Sequence, residues 1–259
     1  HFTRTHITLP AETTTRQYTL YATLAATQQG WSGGGFPMKA RPKILVIDVG
    51  GTNIKVYLTG QKDARKVPSG PRLTARKMVA GVKAITKDWK YDAVSIGYPG
   101  VVRNGRIIAE PVNMGKGWVG FGFRTAFRRP VKIVNDAVMQ ALGSYRGGTM
   151  LFLGLGTGLG TALIVNGHAV PMEMGHFPYR KLTIEDYLGT AGVASLGRAR
   201  WRKLVVEVVG EFVAAFLVDD VVLGGGNVKK LDRLPKACRA GANANAFLGG
   251  LRLWDADRR

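Results

Sequence analysis

The sequence predicts an α/β protein of two lobes, and three observations predict it. A short apolar run leads into a glycine-threonine turn and a second strand at Ile44–Leu58 (ILVIDVGGTNIKVYL). The same pattern returns at Met150–Val165 (MLFLGLGTGLGTALIV), as if one unit had been duplicated. Short apolar strands alternate with helical stretches along the rest of the chain, which is how layered α/β sheets read. With 259 residues, 46% of them hydrophobic, there is enough material for one large or two small cores.

The first 37 residues are rich in Thr, Gln and Gly and end in Ser32-Gly33-Gly34-Gly35. They lack the basic and apolar regions of a secretory signal. The expected organisation is an extension over 1–37 that is poorly structured or not native to the protein, a first α/β lobe over 38–136 and a second over 137–259, with a last helix able to return to the first lobe.

In the first lobe, Ile44 to Ile47 form a buried strand with Asp48 at its end, followed by Gly50, Gly51 and Thr52. Backbone amides at such a turn can hold phosphate oxygens while the carboxylate holds Mg²⁺ or its waters. A plain hairpin with Asp48 as turn former is the other reading. A strand follows the turn, whereas a Walker loop or a dinucleotide fingerprint opens a helix. The spacing of Met78, Val79, Val82, Ile85 and Trp89 predicts a helix over Arg72–Lys90. Ala93–Ile96 reads as a strand, and Asn104-Gly105 as a hairpin turn. The loop Glu110–Gly122 carries Asn113 and Trp118, which suit a sugar ring or, for the indole, simple anchoring. Val131–Val134 is a strand with Asn135-Asp136 at its carboxyl end and a helix over Ala137–Tyr145. A carboxylate there can act as general base or cap the helix.

The second lobe opens with the turn at Gly156, Thr157 and Gly158. Glu173, His176 and Glu185 then offer two carboxylates and an imidazole, a set suited to vicinal hydroxyls and weak as a zinc signal. Helices are expected over Ile184–Arg202, Lys203–Leu217 and around Ala240–Leu251. The strand Val221–Leu223 ends in Gly224-Gly225-Gly226-Asn227, where bare backbone lets a ligand approach.

Composition adds broader limits. Lys and Arg number 37 against 17 Asp and Glu, a net charge of +20 that attracts polyanions. The single cysteine, Cys238, excludes a disulfide framework and a cysteine zinc site, and fits a reducing cytoplasm. No stretch reads as a membrane span.

The stretches DVGGTNIK (Asp48–Lys55), GYPGVV (Gly97–Val102), NMGKGW (Asn113–Trp118), VND (Val134–Asp136), LGTGLGTAL (Leu155–Leu163), EMGH (Glu173–His176), EDY (Glu185–Tyr187) and LGGGN (Leu223–Asn227) occur in one order. Together they resemble the ROK family of sugar kinases over Met38–Trp254, most of all its glucokinase branch, which includes polyphosphate glucokinases. The resemblance implies a two-lobed actin-like (ribonuclease H-like) fold and transfer of a phosphoryl group to the 6-hydroxyl of glucose or a related hexose. It implies Asp136 as catalytic base, and Asn113, Asn135, Glu173, His176 and Glu185 as sugar ligands. It places donor phosphates and Mg²⁺ at Asp48, Gly50, Gly51, Thr52, Lys55, Gly156, Thr157 and Gly158, with Gly224 and Gly225 beside a nucleoside if the donor has one. ATP and inorganic polyphosphate are both open as donors, and a homodimer is implied. Many members carry a cysteine-rich zinc motif between the His and the following Glu. Phe177–Ile184 has no Cys, so zinc is not expected. Another hexose as acceptor is the nearest alternative. A DNA-binding regulator is disfavoured, because residues 1–37 show no helix-turn-helix pattern.

Overall fold

The computed structural model describes residues 42–61, 63–242 and 244–255; the expected extension over 1–37 lies outside them. Strand β1 (Ile44–Val49) turns at Gly50–Thr52 into the antiparallel β2 (Asn53–Leu58) and then β3 (Arg65–Pro68). Helix α1 (Ala75–Ile85) follows, shorter than the expected Arg72–Lys90. Thr74 caps its start by accepting from the Lys77 amide, and the Thr86 hydroxyl donates to the Val82 carbonyl at its end. Trp89 therefore packs from the loop, under the Arg65 guanidinium at 4.0 Å, although its spacing continues the helical stripe.

Strand β4 (Ala93–Tyr98) pairs parallel to β1. The hairpin β5 (Val102–Arg103) and β6 (Arg106–Ile107) turns at Asn104 and Gly105, both at positive φ (50° and 70°). After the short helix α2 (Phe123–Phe127), β7 (Val131–Asn135) completes a sheet of order β3-β2-β1-β4-β7.

Helix α3 (Asp136–Ser144) leads into the second sheet. Its strands are β8 (Thr149–Leu155), β9 (Leu159–Val165) and β10 (His168–Met172), and later β13 (Asp220–Gly224) and β14 (Cys238–Ala240). The order is β10-β9-β8-β13-β14. In each sheet the first three strands are antiparallel neighbours and the last two join in parallel. The two sheets are thus one topology used twice, as the repeated strand-turn-strand pattern predicts.

Between β10 and β13 lie the hairpin β11 (Pro178–Tyr179) and β12 (Leu182–Thr183), helix α4 (Ile184–Leu188) and the long α5 (Thr190–Phe216). The expected helix over Ile184–Arg202 is interrupted twice. Gly189 is extended and starts α5, and Gly197 (φ 71°, ψ 158°) breaks α5 internally. The expected second helix from Lys203 is continuous with the part of α5 beyond that break. The final helix α6 spans Asn245–Arg252.

Each sheet buries both faces. Leu45, Ile47 and Val49 meet Met78, Val82 and Trp118 on one side of the first sheet, while Ile44, Val46 and Ala93 meet Met139 of α3 and Ala246 of α6 on the other. In the second sheet, Leu151, Leu153 and Val221 pack on Trp201, Val205 and Val208 of α5, and Met150, Phe152 and Val222 pack on Ala137, Val138 and Ala141 of α3. Helix α3 therefore touches both sheets, and α6 closes on the first one. The Ser95 hydroxyl donates to the Gly250 carbonyl at 2.6 Å and accepts from the Trp254 indole at 2.8 Å.

Candidate active site

Each glycine turn is closed by a backbone bond of its own. The Gly50 amide donates to the Asn53 carbonyl, and the Gly156 amide to the Gly158 carbonyl. That closes each turn and leaves two amides over. Among the described residues, those of Gly51 and Thr52 in one turn, and of Thr157 and Gly158 in the other, meet no acceptor. Unpaired amides in a tight turn can hold an anion.

Asp48 sits at the end of β1, in register with Lys55 of β2 and Gly97 of β4. Its carboxylate is 13% exposed and 3.9 Å from the Lys55 ammonium. Burial raises its pKa and Lys55 opposes the rise. It accepts no hydrogen bond among the described residues. A half-buried carboxylate without hydrogen-bond donors, beside a second carboxylate, suits a hydrated divalent cation, so the donor set present fits Mg²⁺.

The second carboxylate is Asp136, the first residue of α3. Here the structure separates two readings that the sequence leaves open. Asn135 is the cap: its Oδ1 accepts from the Ala137 amide at 2.8 Å and the Val138 amide at 3.4 Å. Its Nδ2 donates to the Gly100 carbonyl at 3.0 Å, so most of its hydrogen-bonding capacity goes to the fold. Asp136 is not the cap. Its Oδ1 accepts from the Ala137 amide at 2.9 Å. Burial, then the neighbouring Asp48 charge, push its carboxyl up to about 7, with Glu173 adding to the rise and the Ala137 amide opposing it.

Glu173, just before a 3₁₀ turn (Met174–His176), also has a raised pKa. Desolvation is the main cause; Glu185 adds to it and His176 opposes it. Glu185 lies on α4, which Thr183 starts with a reciprocal capping box to Asp186. Its Oε1 is 3.4 Å from His176 Nε2. The Glu185 carboxylate rests directly on Gly158, where a Cβ would come within 2.3 Å of Oε2. The structure thus brings Glu173, His176 and Glu185 together, puts Asp136 within charge range of both Asp48 and Glu173, and seats the Glu185 end of this group on the second turn.

The other expected site residues are less closely tied to this group. Asn113 is exposed on its loop and makes no hydrogen bond among the described residues. Trp118 does not stack on a ligand: it is fully buried, 5.4 Å from the Tyr98 ring, and its indole donates to the Gly115 carbonyl. The Glu110 carboxylate, accepting from the Trp118 and Val119 amides, turns the loop so that the indole points inward. The anchoring reading is the correct one. Gly224 packs against the Phe152 ring, and Gly225 lies against the strand end before the second turn, where a Cβ would come within 2.3 Å of the Leu155 carbonyl oxygen.

Sequence reasoning missed the support beneath the second turn. Asn227, 5% exposed, donates through Nδ2 to the Gly156 carbonyl at 2.7 Å and accepts from Lys230 Nζ at 2.7 Å. Thr190, the first residue of α5, donates from its amide to the Thr157 carbonyl and from its hydroxyl to the Gly156 carbonyl. The polar residue closing LGGGN was a visible signal for Asn227; nothing in the local pattern marks Lys230.

Two sheets of one topology, each presenting a strand-turn-strand with unpaired amides, define the actin-like ATPase class. The chain belongs to the ROK family, whose model matches residues 44–193. It is 28% identical over 212 residues to the polyphosphate glucokinase of Mycobacterium tuberculosis H37Rv, covering 72% of this chain and 78% of that one. Its fold matches the inorganic polyphosphate/ATP-glucomannokinase of Arthrobacter sp. strain KM (TM-score 0.72, 22% identity, 84% of this chain and 100% of that one). It also matches a ROK family glucokinase from Streptomyces griseus, solved with glucose and AMPPNP (TM-score 0.65, 18% identity, 82% and 98% covered). Among the described residues no helix is long and apolar enough to cross a membrane.

Proposed function

We propose that this sugar kinase transfers a phosphoryl group from polyphosphate or ATP to the 6-hydroxyl of glucose. The observation that carries the reading is Asp136: a buried carboxylate, pushed up to about 7, at the end of β7 and within charge range of Asp48 and Glu173. A base with a pKa near the working pH holds a proton weakly enough to cycle it. Glu173, His176 and Glu185 would hold the ring hydroxyls, with Asn113 and the remaining N–H of Asn135 at the edge, and present the 6-hydroxyl to Asp136. That hydroxyl gives its proton to Asp136 as its oxygen attacks the terminal phosphorus, and the bond to the rest of the donor breaks. The amides of Gly51, Thr52, Thr157 and Gly158 would hold the phosphate oxygens, with Lys55 adding charge, so that positioning does most of the work. Asp48 would hold Mg²⁺, which when bound neutralises developing charge on the donor. Gly224 and Gly225 would border a nucleoside when ATP is the donor.

The name of the mycobacterial relative supports glucose and polyphosphate, and that of the Arthrobacter structure supports both donors. The net charge of +20 suits a polyanionic donor. The family resemblance supports a homodimer.

The test is a coupled assay for glucose 6-phosphate with Mg²⁺, run with ATP and with polyphosphate on wild type and Asp136→Asn. We expect turnover with polyphosphate, and a loss of kcat of at least about 10²–10⁴-fold in the variant with glucose binding kept. A variant that retains most of its kcat would remove Asp136 from the base role. Turnover of another hexose in preference to glucose would correct the acceptor.

A further inference from the structure

Lys230 is a half-buried cation held near the second glycine turn through Asn227. Its ammonium donates to Asn227 Oδ1 at 2.7 Å, and no carboxylate among the described residues lies within ion-pair distance of it. The nearby acid is already engaged: Asp232 pairs with the Arg202 guanidinium. Arg202 in turn donates from Nε to the Lys230 carbonyl at 2.6 Å, which fixes the backbone that carries the lysine. With Asp232 taken by Arg202, Lys230 keeps its charge uncompensated, one side chain away from the Gly156 carbonyl of the second turn.

Partly desolvating an ammonium without a counter-charge costs stability. The fold nevertheless holds this lysine at both ends. Asn227 does it with a buried amide whose other end grips the Gly156 carbonyl, so a single side chain separates the ammonium from the turn. Two of the three ammonium N–H groups remain after the bond to Asn227.

We propose that Lys230 binds a phosphate of the donor beyond the group that is transferred, and that it makes the site selective for a phosphate chain over a nucleoside. The inference rests on the donor reading above and names the residue that would decide between its two donors. A nucleoside needs a flat, mostly apolar slot. An ammonium is a compact point charge that a phosphate satisfies and a purine does not. With one phosphate on the turn amides, the next members of an inorganic chain would pass over Lys230. Lys230 takes part in no bond-making step; it is a positioning residue.

The experiment measures binding rather than turnover. The full chain is titrated calorimetrically, with Mg²⁺, against sodium tripolyphosphate and against ATP, for wild type, Lys230→Met and Lys230→Arg. The Met variant should bind tripolyphosphate about tenfold more weakly, and its log K should depend less steeply on log salt, by about one phosphate contact. The Arg variant should keep most of the affinity, and ATP should lose less than tripolyphosphate in the Met variant. Glucose affinity and thermal midpoint, read on the same samples, report whether the Met variant is correctly folded. Equal tripolyphosphate affinity in wild type and a folded Met variant, or no binding by wild type, would overturn the proposal. A Met variant that unfolds leaves the decision to Lys230→Arg, whose loss of tripolyphosphate affinity in a folded protein would also overturn it. Tripolyphosphate binding without glucose phosphorylation would instead overturn the functional reading and leave Lys230 as an anion site.

Discussion

Asp136 holds its proton more tightly in the folded chain than a carboxyl does in water, because burial and the Asp48 charge both disfavour the anion. That ties activity and stability to the same group. A folded value of about 7 against an ordinary 3.8 means that the native state binds the extra proton between those limits. The contribution of Asp136 to stability therefore falls as pH rises from about 4 to about 7 and is flat above. Asp136→Asn removes the titration while its amide oxygen can still accept from Ala137. We expect the variant to be more stable than wild type by about 2–4 kcal/mol at pH 8, a difference that grows between pH 4 and 7. Thermal melts across that range decide it; parallel wild-type and variant profiles would mean that Asp136 titrates normally. In the same range kcat/KM of the wild type should rise with pH through about 7, since only the anion accepts a proton. The sequence placed this carboxylate at a strand end but could not separate a cap from a base. The structure removes the cap reading: Asn135 accepts from the Ala137 and Val138 amides, so the helix is already capped one residue before Asp136.

The two turns show why one element can need glycine for different reasons. At Gly50 a Cβ would sit 2.8 Å from the Asn53 carbonyl oxygen, so the turn itself requires the bare backbone. At Gly51 a Cβ would meet nothing within 4 Å, and the backbone there is not in the left-handed region. The fold does not need that glycine, whereas a phosphate resting on its amide does. Gly51→Ala should leave the thermal midpoint within about 2 °C of wild type and weaken Mg²⁺-tripolyphosphate binding at least about tenfold. Unchanged binding in a folded variant would take the first turn out of the donor site. Both turns were legible because short apolar strands flank glycines at a readable period. The edge strands were not: β3 (RKVP) and β14 (CRA) carry charges, because one side of each faces solvent. Helix α1 was overread for a related reason. Trp89 keeps the apolar period, but the Thr86 hydroxyl has already ended the helix by bonding to Val82.

At the scale of the molecule the two sheets are joined through α3 and α6. Helix α3 begins with the proposed base and packs against both sheets; α6 crosses α3 and lies on β1 and β4. The local sequence of α6 does not say which sheet receives it, since small and apolar residues would suit either. The crossing depends on two glycines. A Cβ on Gly143 would come within 1.8 Å of the Asn245 carbonyl oxygen, and one on Gly249 within 1.7 Å of the Met139 carbonyl oxygen. Both obstacles are backbone, so a rotamer change cannot relieve them, and the helices would have to separate. Separation would loosen Val46, Met139 and Ala246, and with them the hydrogen bonds of Ser95 to Gly250 and Trp254. We expect Gly249→Ala to cost about 3 kcal/mol or more, against less than about 1 kcal/mol for Leu248→Ala, whose side chain is 42% exposed. Because α3 links both cores, the loss should appear as one cooperative transition moved to lower denaturant, with near-ultraviolet signals from Trp118 in the first lobe and Trp201 in the second moving together. A Gly249→Ala protein as stable as wild type would show that the helices do not cross in contact. Two separated transitions would show that the lobes unfold independently and that α3 does not couple them.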